Sequence, residues 1–510
     1  MNSETKSKRI IKNTVYLYLR MLFTVFINLY SARVVLNNLG VEDFGVYNVV
    51  GGIVTFMSFI TATLASATQR FLAYDLGKGD VSQYERTFSM LLNIFFIICV
   101  LLFFLLEAIG PIYIFNYLKV SPSRLNPAFW VFEFSLFTFL VNTMCIPFRS
   151  SIIAHEKMGV FAFIGIVESI GTLGVAIVLP YLGIDRLLLY GLLMMLLYLL
   201  VATYLVIFCR VKLSGCVYIK YWNKDYFKKL SSYAGWNLFG SITGVMDLQG
   251  QALVLNYFFG PVINAAKSIS DRVNGMISQF STNFYMAVAP QIIKSYAEGD
   301  IMYTKKLVLN SSRYSYFLLF VISAPLYFVM QRVLELWLGL GNVSLDMVRF
   351  CECTIIYMLV NILEQPLTMA NRATGDIKKY QVSVGIITLS FIPLCIILFL
   401  LKFPAYYSMI LLTLIYIVAS FFRVHLVAPT LSMLESEYYR SVITPILLST
   451  ILTFSILAVM RIVLDKLEVN WIVQGLTFFL LTLIISYLLG FKRTEKEYVY
   501  SFIKNKVSVW

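Results

Sequence analysis

Lys267, Asp271 and Arg272 sit inside VINAAKSISDRVNGMISQFSTNF (262–284), a stretch long enough to cross a bilayer. Asn264, Ser268, Asp271, Gly275, Ser278 and Thr282 recur at three- or four-residue steps, so one stripe of this helix is polar, with Asn274 beside it. Lys267 and Asp271 form an i,i+4 pair that can neutralise itself. A charge near the centre of a membrane helix costs about 2.5–3.5 kcal/mol on insertion scales. Three of them are tolerable only where they meet water or one another.

Three other stretches behave alike. In SSYAGWNLFGSITGVMDLQGQALVLN (231–256), Gly240, Gly244, Asp247 and Gln251 share a face, with Asn237 one turn before. Arg20, Thr24, Asn28 and Ser31 line up in the first apolar segment, with Arg33 on another face near its outer end. Tyr47, Asn48, Thr55 and Ser58 lead into a run of small residues in the second. Later segments such as 187–209 are apolar nearly all round. The four polar helices are therefore expected to line a water-filled path. Gly240 and Gly244 also fit a helix-packing surface. Arg313, Arg349 and Glu107 lie near segment ends and suit interfacial anchoring. Glu133, Glu168, Glu352 and Glu364 belong to no stripe.

Catalytic chemistry has no signature here. His155 and His425 fall at segment edges. No phosphate-binding glycine loop, metal-ligand cluster or nucleophile triad occurs, so neither catalytic residues, metal nor cofactor is expected. The seven cysteines lie nearly all in apolar runs and read as buried thiols.

The elements that carry these residues follow from composition. The chain is 59% hydrophobic and 13% charged over 510 residues, with mean hydropathy +0.79. That places it among all-α polytopic membrane proteins. A helix needs about 20 apolar residues to cross the hydrocarbon. Spans are expected near 13–36, 44–68, 88–109, 127–149, 159–182, 187–209, 232–257, 262–289, 308–331, 347–370, 380–401, 405–428, 441–463 and 470–490. Of these fourteen transmembrane helices the second, seventh and eighth are the least hydrophobic. With the N-terminus inside, 28 of the 41 Lys and Arg, Arg149 and Arg423 among them, fall in inside segments and seven outside. This asymmetry predicts both termini in the cytoplasm. The net charge of +14 is then a matter of anionic lipid, not nucleic acid.

The longest basic connection, RVKLSGCVYIKYWNKDYFKKL (210–230), divides the first twelve spans. A shift of 220 places NNLGVEDFGVY over YFFGPVINAAK, so Gly40 meets Gly260 and Gly79-Asp80 meets Gly299-Asp300. Identities are few, but the order of spans repeats. Two pseudosymmetric six-helix lobes are expected, at 1–209 and 231–428, joined by a basic linker at 210–230. Two C-terminal helices (429–490) and a cytoplasmic tail (491–510) follow. Outside loops are short, which argues against a membrane polymerase or ligase.

LGVEDFGVYNVVGGIVTFMSF (39–59) and SATQRFLAYDLGKGD (66–80) resemble the O-antigen flippases of the Wzx type. These belong to the polysaccharide branch of the multidrug/oligosaccharidyl-lipid/polysaccharide exporter superfamily. The resemblance is strongest over about residues 8–90, and the fourteen-span plan extends it over the chain. It implies a V-shaped pair of six-helix lobes working by alternating access in a bacterial plasma membrane. The implied substrate is an undecaprenyl-diphosphate-linked oligosaccharide, turned from the cytoplasmic to the periplasmic leaflet. A cationic cavity suits the diphosphate, and Arg20, Arg33, Lys267 and Arg272 match it. Asn28, Asn48 and Asn274 are the amides placed to meet sugar. Asp247 and Asp271 are the candidates for coupling to H+ or Na+, or else they neutralise neighbouring cations. A multidrug/cation antiporter and a lipid II-type flippase are the alternatives. Membrane lipids and assembly partners such as a polymerase complete the expected partners.

Overall fold

Gly40 and Gly260 adopt the same backbone conformation, φ 81°, ψ 169° and φ 77°, ψ −172°. Only glycine enters that region without strain. Each breaks one long helix into two, so in the computed structural model the chain kinks at equivalent points of the two repeats. The structure describes residues 3–491 except 56, 57, 117, 119, 184, 340 and 342, together with 495 and 496. All regular elements among them are helical.

Two compact units result. Unit 1 comprises 1–241 and 286–299. It holds α1 (Ser3–Thr55), α2 (Ser58–Lys78), α3 (Val81–Asn116), α4 (Pro122–Met144), α5 (Ile146–Ala154), α6 (Met158–Val178) and α7 (Arg186–Lys212). It also takes most of α8 (Lys224–Val245) and the C-terminal end of α9 (Gln251–Ala297). Unit 2 comprises 242–285 and 300–510. It contains the rest of α9, then α10 (Ile301–Leu338), α11 (Leu345–Asn361), α12 (Glu364–Thr374), α13 (Lys378–Leu389), α14 (Phe391–Leu400) and α15 (Tyr407–Val427). A short α16 (Glu435–Tyr438), then α17 (Thr444–Lys466) and α18 (Trp471–Gly490), complete it.

The 220-residue repeat is written into the helix starts. Val81 and Ile301 begin α3 and α10, and Met158 and Lys378 begin α6 and α13. Gly79 and Gly299 both have positive φ, 72° and 82°. Asp80 then caps α3 by accepting from Gln83 N (2.9 Å), as Asp300 caps α10 by accepting from Tyr303 N (3.0 Å). The Gly supplies the turn and the Asp satisfies an orphan amide.

Prolines divide the longer spans. Pro147 follows the join of α4 and α5, and Pro366 and Pro393 stand just inside α12 and α14. A proline lacks the amide and clashes one turn back, which interrupts but does not end the run. Helix α5 therefore continues α4 to Ala154 instead of ending the span near 149. Ten helices are long and apolar enough to cross a membrane among the described residues. The stretches 44–55, 58–68, 232–257 and 262–289 are helical without being among them, and α11, with 17 residues, falls short in length. In unit 2, α17 and α18 pack on α10. Phe328 meets the rings of Phe454 and Phe478, and Gly490 lies so close to Phe317 that a Cβ would fall 2.4 Å from its ring.

Candidate functional site

Unit 1 holds a small, half-buried cationic cluster. Arg20 on α1 lies over the Phe161 ring of α6, 4.9 Å from its centroid, with its methylenes against Gly165. One turn along α6, Glu168 accepts from the Arg149 guanidinium of α5 at 2.5 Å. Arg20 is within electrostatic reach of both, and its Nε is buried without a hydrogen-bond partner. Two guanidiniums thus stand near one carboxylate, which pairs with Arg149 alone. Arg149 belongs here because Pro147 interrupts the helix without ending it, which carries this residue into the bundle. The sequence reading had put Arg149 at a cytoplasmic edge and left Glu168 without a role. Pro147 two residues before an arginine was the signal.

Unit 2 buries an acidic counterpart. Asp247 lies in a π-helical turn, Met246–Gly250, where α8 gives way to α9. Such single turns are common at functional positions. Tyr416 of α15 donates to its Oδ2 at 2.9 Å, while Oδ1 is buried without a partner. The Tyr416 ring meets Tyr357 edge-on at 5.0 Å and carries the Arg423 guanidinium at 5.4 Å. Arg423 pairs with Glu364 of α12 at 2.5 Å, and both act electrostatically on Asp247. One turn on, Gln251 donates to Ser408 at 2.9 Å. The cluster holds two carboxylates against one guanidinium. That suits a cation or a proton at the open Oδ1.

The other expected residues are placed as follows. Lys267 is 2% exposed and ion-paired to Asp271, while Ser270, on the same helix, hydrogen-bonds Thr354 of α11 at 2.7 Å. Arg272, the next residue, is exposed. Asn274 accepts from the Ser278 hydroxyl at 2.9 Å. Asn28 and Arg33 are exposed on α1, and the side chains of Asn48 and Asn264 lie outside the described part. Of the residues singled out, Arg20 and Asp247 stand in clusters the sequence had not assembled. Glu133 hydrogen-bonds Glu107, and Glu352 lies near Arg349 and Arg461.

A third polar group lies at the turn between α5 and α6, outside the spans. Glu156, at φ 60°, is 6% exposed and is held by Lys294 Nζ at 2.7 Å and Gln291 Nε2 at 2.6 Å. A non-glycine residue at positive φ persists only where its surroundings over-determine it. Next to it, His155 hydrogen-bonds the Ser151 carbonyl through Nδ1 at 2.9 Å and packs edge-on against Tyr84. Burial lowers its pKa, the hydrogen bond to the Ser151 carbonyl opposes this, and Lys294 and Lys157 lower it further against a smaller opposing effect of Glu156. A depressed histidine contributes stability above its unfolded pKa and loses it as pH falls. Going from about pH 7.5 to about pH 5.5 should therefore lower the melting temperature, and less so in His155→Gln. Equal acid sensitivity of the two proteins would place the titrating group elsewhere.

No family model matches the chain, and no curated protein matches its sequence. Solved structures do. A multidrug resistance MATE family transporter of the MOP superfamily in an outward-facing conformation aligns at TM-score 0.72 and 12% identity, covering 84% of this chain and 96% of that one. The bent form of the Vibrio cholerae MATE transporter VcmN aligns at 0.69 and 13%, over 86% of this chain and 100% of that one. A MOP superfamily transporter from Pyrococcus furiosus, described by the reverse polarity of its binding pocket, aligns at 0.70 and 12%, over 84% and 96%. At this identity the likeness speaks for architecture. The chain has the fold of the MATE transporters of the MOP superfamily.

Proposed function

We propose that this protein is a flippase that moves an undecaprenyl-diphosphate-linked oligosaccharide from the cytoplasmic to the periplasmic leaflet. It works by alternating access, with both termini cytoplasmic in a bacterial plasma membrane. The observation that supports this most is the excess of guanidinium over carboxylate where α1, α5 and α6 meet. Arg20 has a buried, unpartnered N–H beside the Arg149–Glu168 pair. A diphosphate is the ligand that a pair of guanidiniums holds best, through charge-assisted and often bidentate hydrogen bonds. Asp247 is the coupling residue in this reading, taking H+ or Na+ as Tyr416 fixes its other oxygen.

The second reading is a multidrug/cation antiporter. It draws support from the acidic cluster of unit 2, where Asp247 Oδ1 is open and Glu364 is near. A lipid II-type flippase would use the same guanidiniums.

One experiment separates these classes. The chain is expressed in cells lacking their O-antigen flippase, in cells with a conditional lipid II flippase, and in a drug-hypersensitive strain without efflux pumps. Restored surface glycan in the first host alone supports the proposal. Rescue of growth in the second points to lipid II. Drug resistance without glycan export sinks the proposal in favour of antiport. Asp247→Asn should lower glycan export in energised cells about tenfold or more.

A further inference from the structure

The segment between α7 and α8 does not hang free. Gly215, at φ 79°, turns the chain so closely against Tyr84 that a Cβ there would lie 2.5 Å from its ring. Residues 216–221 then run along α3. The Tyr84 hydroxyl lies 3.9 Å from Cys216 Sγ, Ser89 accepts from Ile219 N at 2.9 Å, and Asn93 donates to the Tyr221 carbonyl at 3.2 Å. Tyr218 donates back to Asn93 at 3.2 Å, and Arg86 lies over the Tyr221 ring. The contacts of Cys216, Ile219 and Tyr221 fall at Tyr84, Ser89 and Asn93, successively further along α3. Nine helical residues, from Tyr84 to Asn93, rise about 14 Å.

The far end of this track has a definable depth. Immediately beyond Asn93, α3 exposes Phe96, Ile97, Val100 and Leu101, an apolar surface of the kind that suits hydrocarbon. Tyr218, Tyr221 and Trp222 therefore stand where the apolar surface of α3 begins. Amphipathic rings gather at that level in membrane proteins. Trp222 is 53% exposed and Val217 52%, with Trp222 stacked on Phe227 of α8.

Along the same segment Arg210, Lys212, Lys220, Lys224, Lys228 and Lys229 are all exposed, against Asp225 as the one acid in 210–230. Charge complementarity identifies the occupant. From this arrangement we infer that the pinned linker is a binding platform for the phosphodiester headgroups of anionic phospholipid. The lysines reach the phosphates, and Trp222 and Val217 enter the acyl boundary. Because 216–221 is fixed by α3, the platform has a set geometry rather than a diffuse charge. The inference goes beyond the transport reading and is independent of the cargo.

The test uses the purified full chain and titrates phosphatidylglycerol against a phosphatidylcholine background, with bound lipid counted by native mass spectrometry. A variant with Lys220, Lys224, Lys228 and Lys229 each changed to Gln is compared with one in which Lys306, Lys378, Lys379 and Arg440 of unit 2 are changed to Gln. All eight side chains are exposed, so folding is preserved. Each lysine held against a headgroup phosphate contributes roughly fivefold to anionic-lipid affinity. The linker variant should lose phosphatidylglycerol affinity by about tenfold or more, and the unit 2 variant should keep it. Unchanged affinity in the linker variant overturns the inference. Equal loss in both variants overturns it too, because undirected surface charge would then suffice. Unchanged lipid affinity with lost binding of a polyglutamate probe would assign the surface to an acidic protein instead.

Discussion

Under the proposed flippase function, Arg20→Ala is expected to reduce glycan export about tenfold to a hundredfold while leaving the melting temperature nearly unchanged. A charge-assisted hydrogen bond contributes about 1.5–3 kcal/mol, which sets that range. Stability should hold because Arg149 and Glu168 already satisfy each other and Arg20 adds only an unshared cation. Arg149→Ala differs in kind. It leaves Glu168 partly buried without its partner, so both export and stability should fall. The double variant Arg149→Ala/Glu168→Gln removes that stranded charge and should recover stability but not export. Surface glycan per molecule of protein, with thermal unfolding in parallel, checks all three. Full export by Arg20→Ala would remove the cationic cluster from the mechanism.

Arg423→Ala should be the most damaging single change in unit 2, costing about 3–5 kcal/mol of stability. Arg423 is 5% exposed, and its removal leaves Glu364 without its partner and beside Asp247. Total stabilities run near 5–15 kcal/mol, so much of the margin goes. Arg423→Met with Glu364→Gln replaces the ion pair by a neutral contact of similar volume and should restore most of the loss. Thermal unfolding in detergent, with expression level as a second readout, decides it. A mild effect of Arg423→Ala alone would mean that water reaches Glu364.

The fold was largely legible because periodicity and composition are local. Gly40 and Gly260, aligned by a shift that relied on few identities, share one backbone conformation. The polar stripe around Lys267 was readable from i,i+4 spacing, and so was its pairing with Asp271. The neighbouring Arg272, a third of a turn away, is exposed instead. What stayed hidden were partners far apart in sequence. Rules that assign charges near span ends to loops placed Arg149 and Arg423 at the cytoplasmic edge, yet both are ion-paired among helices. Glu168 and Glu364, set aside for want of a stripe, are the residues that hold them. A stripe reports what one helix does to its own faces. It is silent about a lone acid whose partner arrives on another helix.

Residues 286–299 belong to unit 1 although some forty residues of unit 2 are synthesised before them. Their side chains finish the work begun at the turn after α5: Gln291 and Lys294 satisfy Glu156, Gly77 admits the backbone of Lys294, and Ala287 packs with Leu17 and Met158. The ribosome must therefore extend the nascent chain by 58 residues past Ser241, about 3–12 s at ordinary elongation rates, before the first unit can close. Through that interval the translocon and its chaperones hold an inserted but unfinished half, with a carboxylate still waiting for its cation. A transcript cut between the two repeats would yield a substrate for membrane proteases, and biogenesis of the halves is sequentially entangled even though their architecture is duplicated.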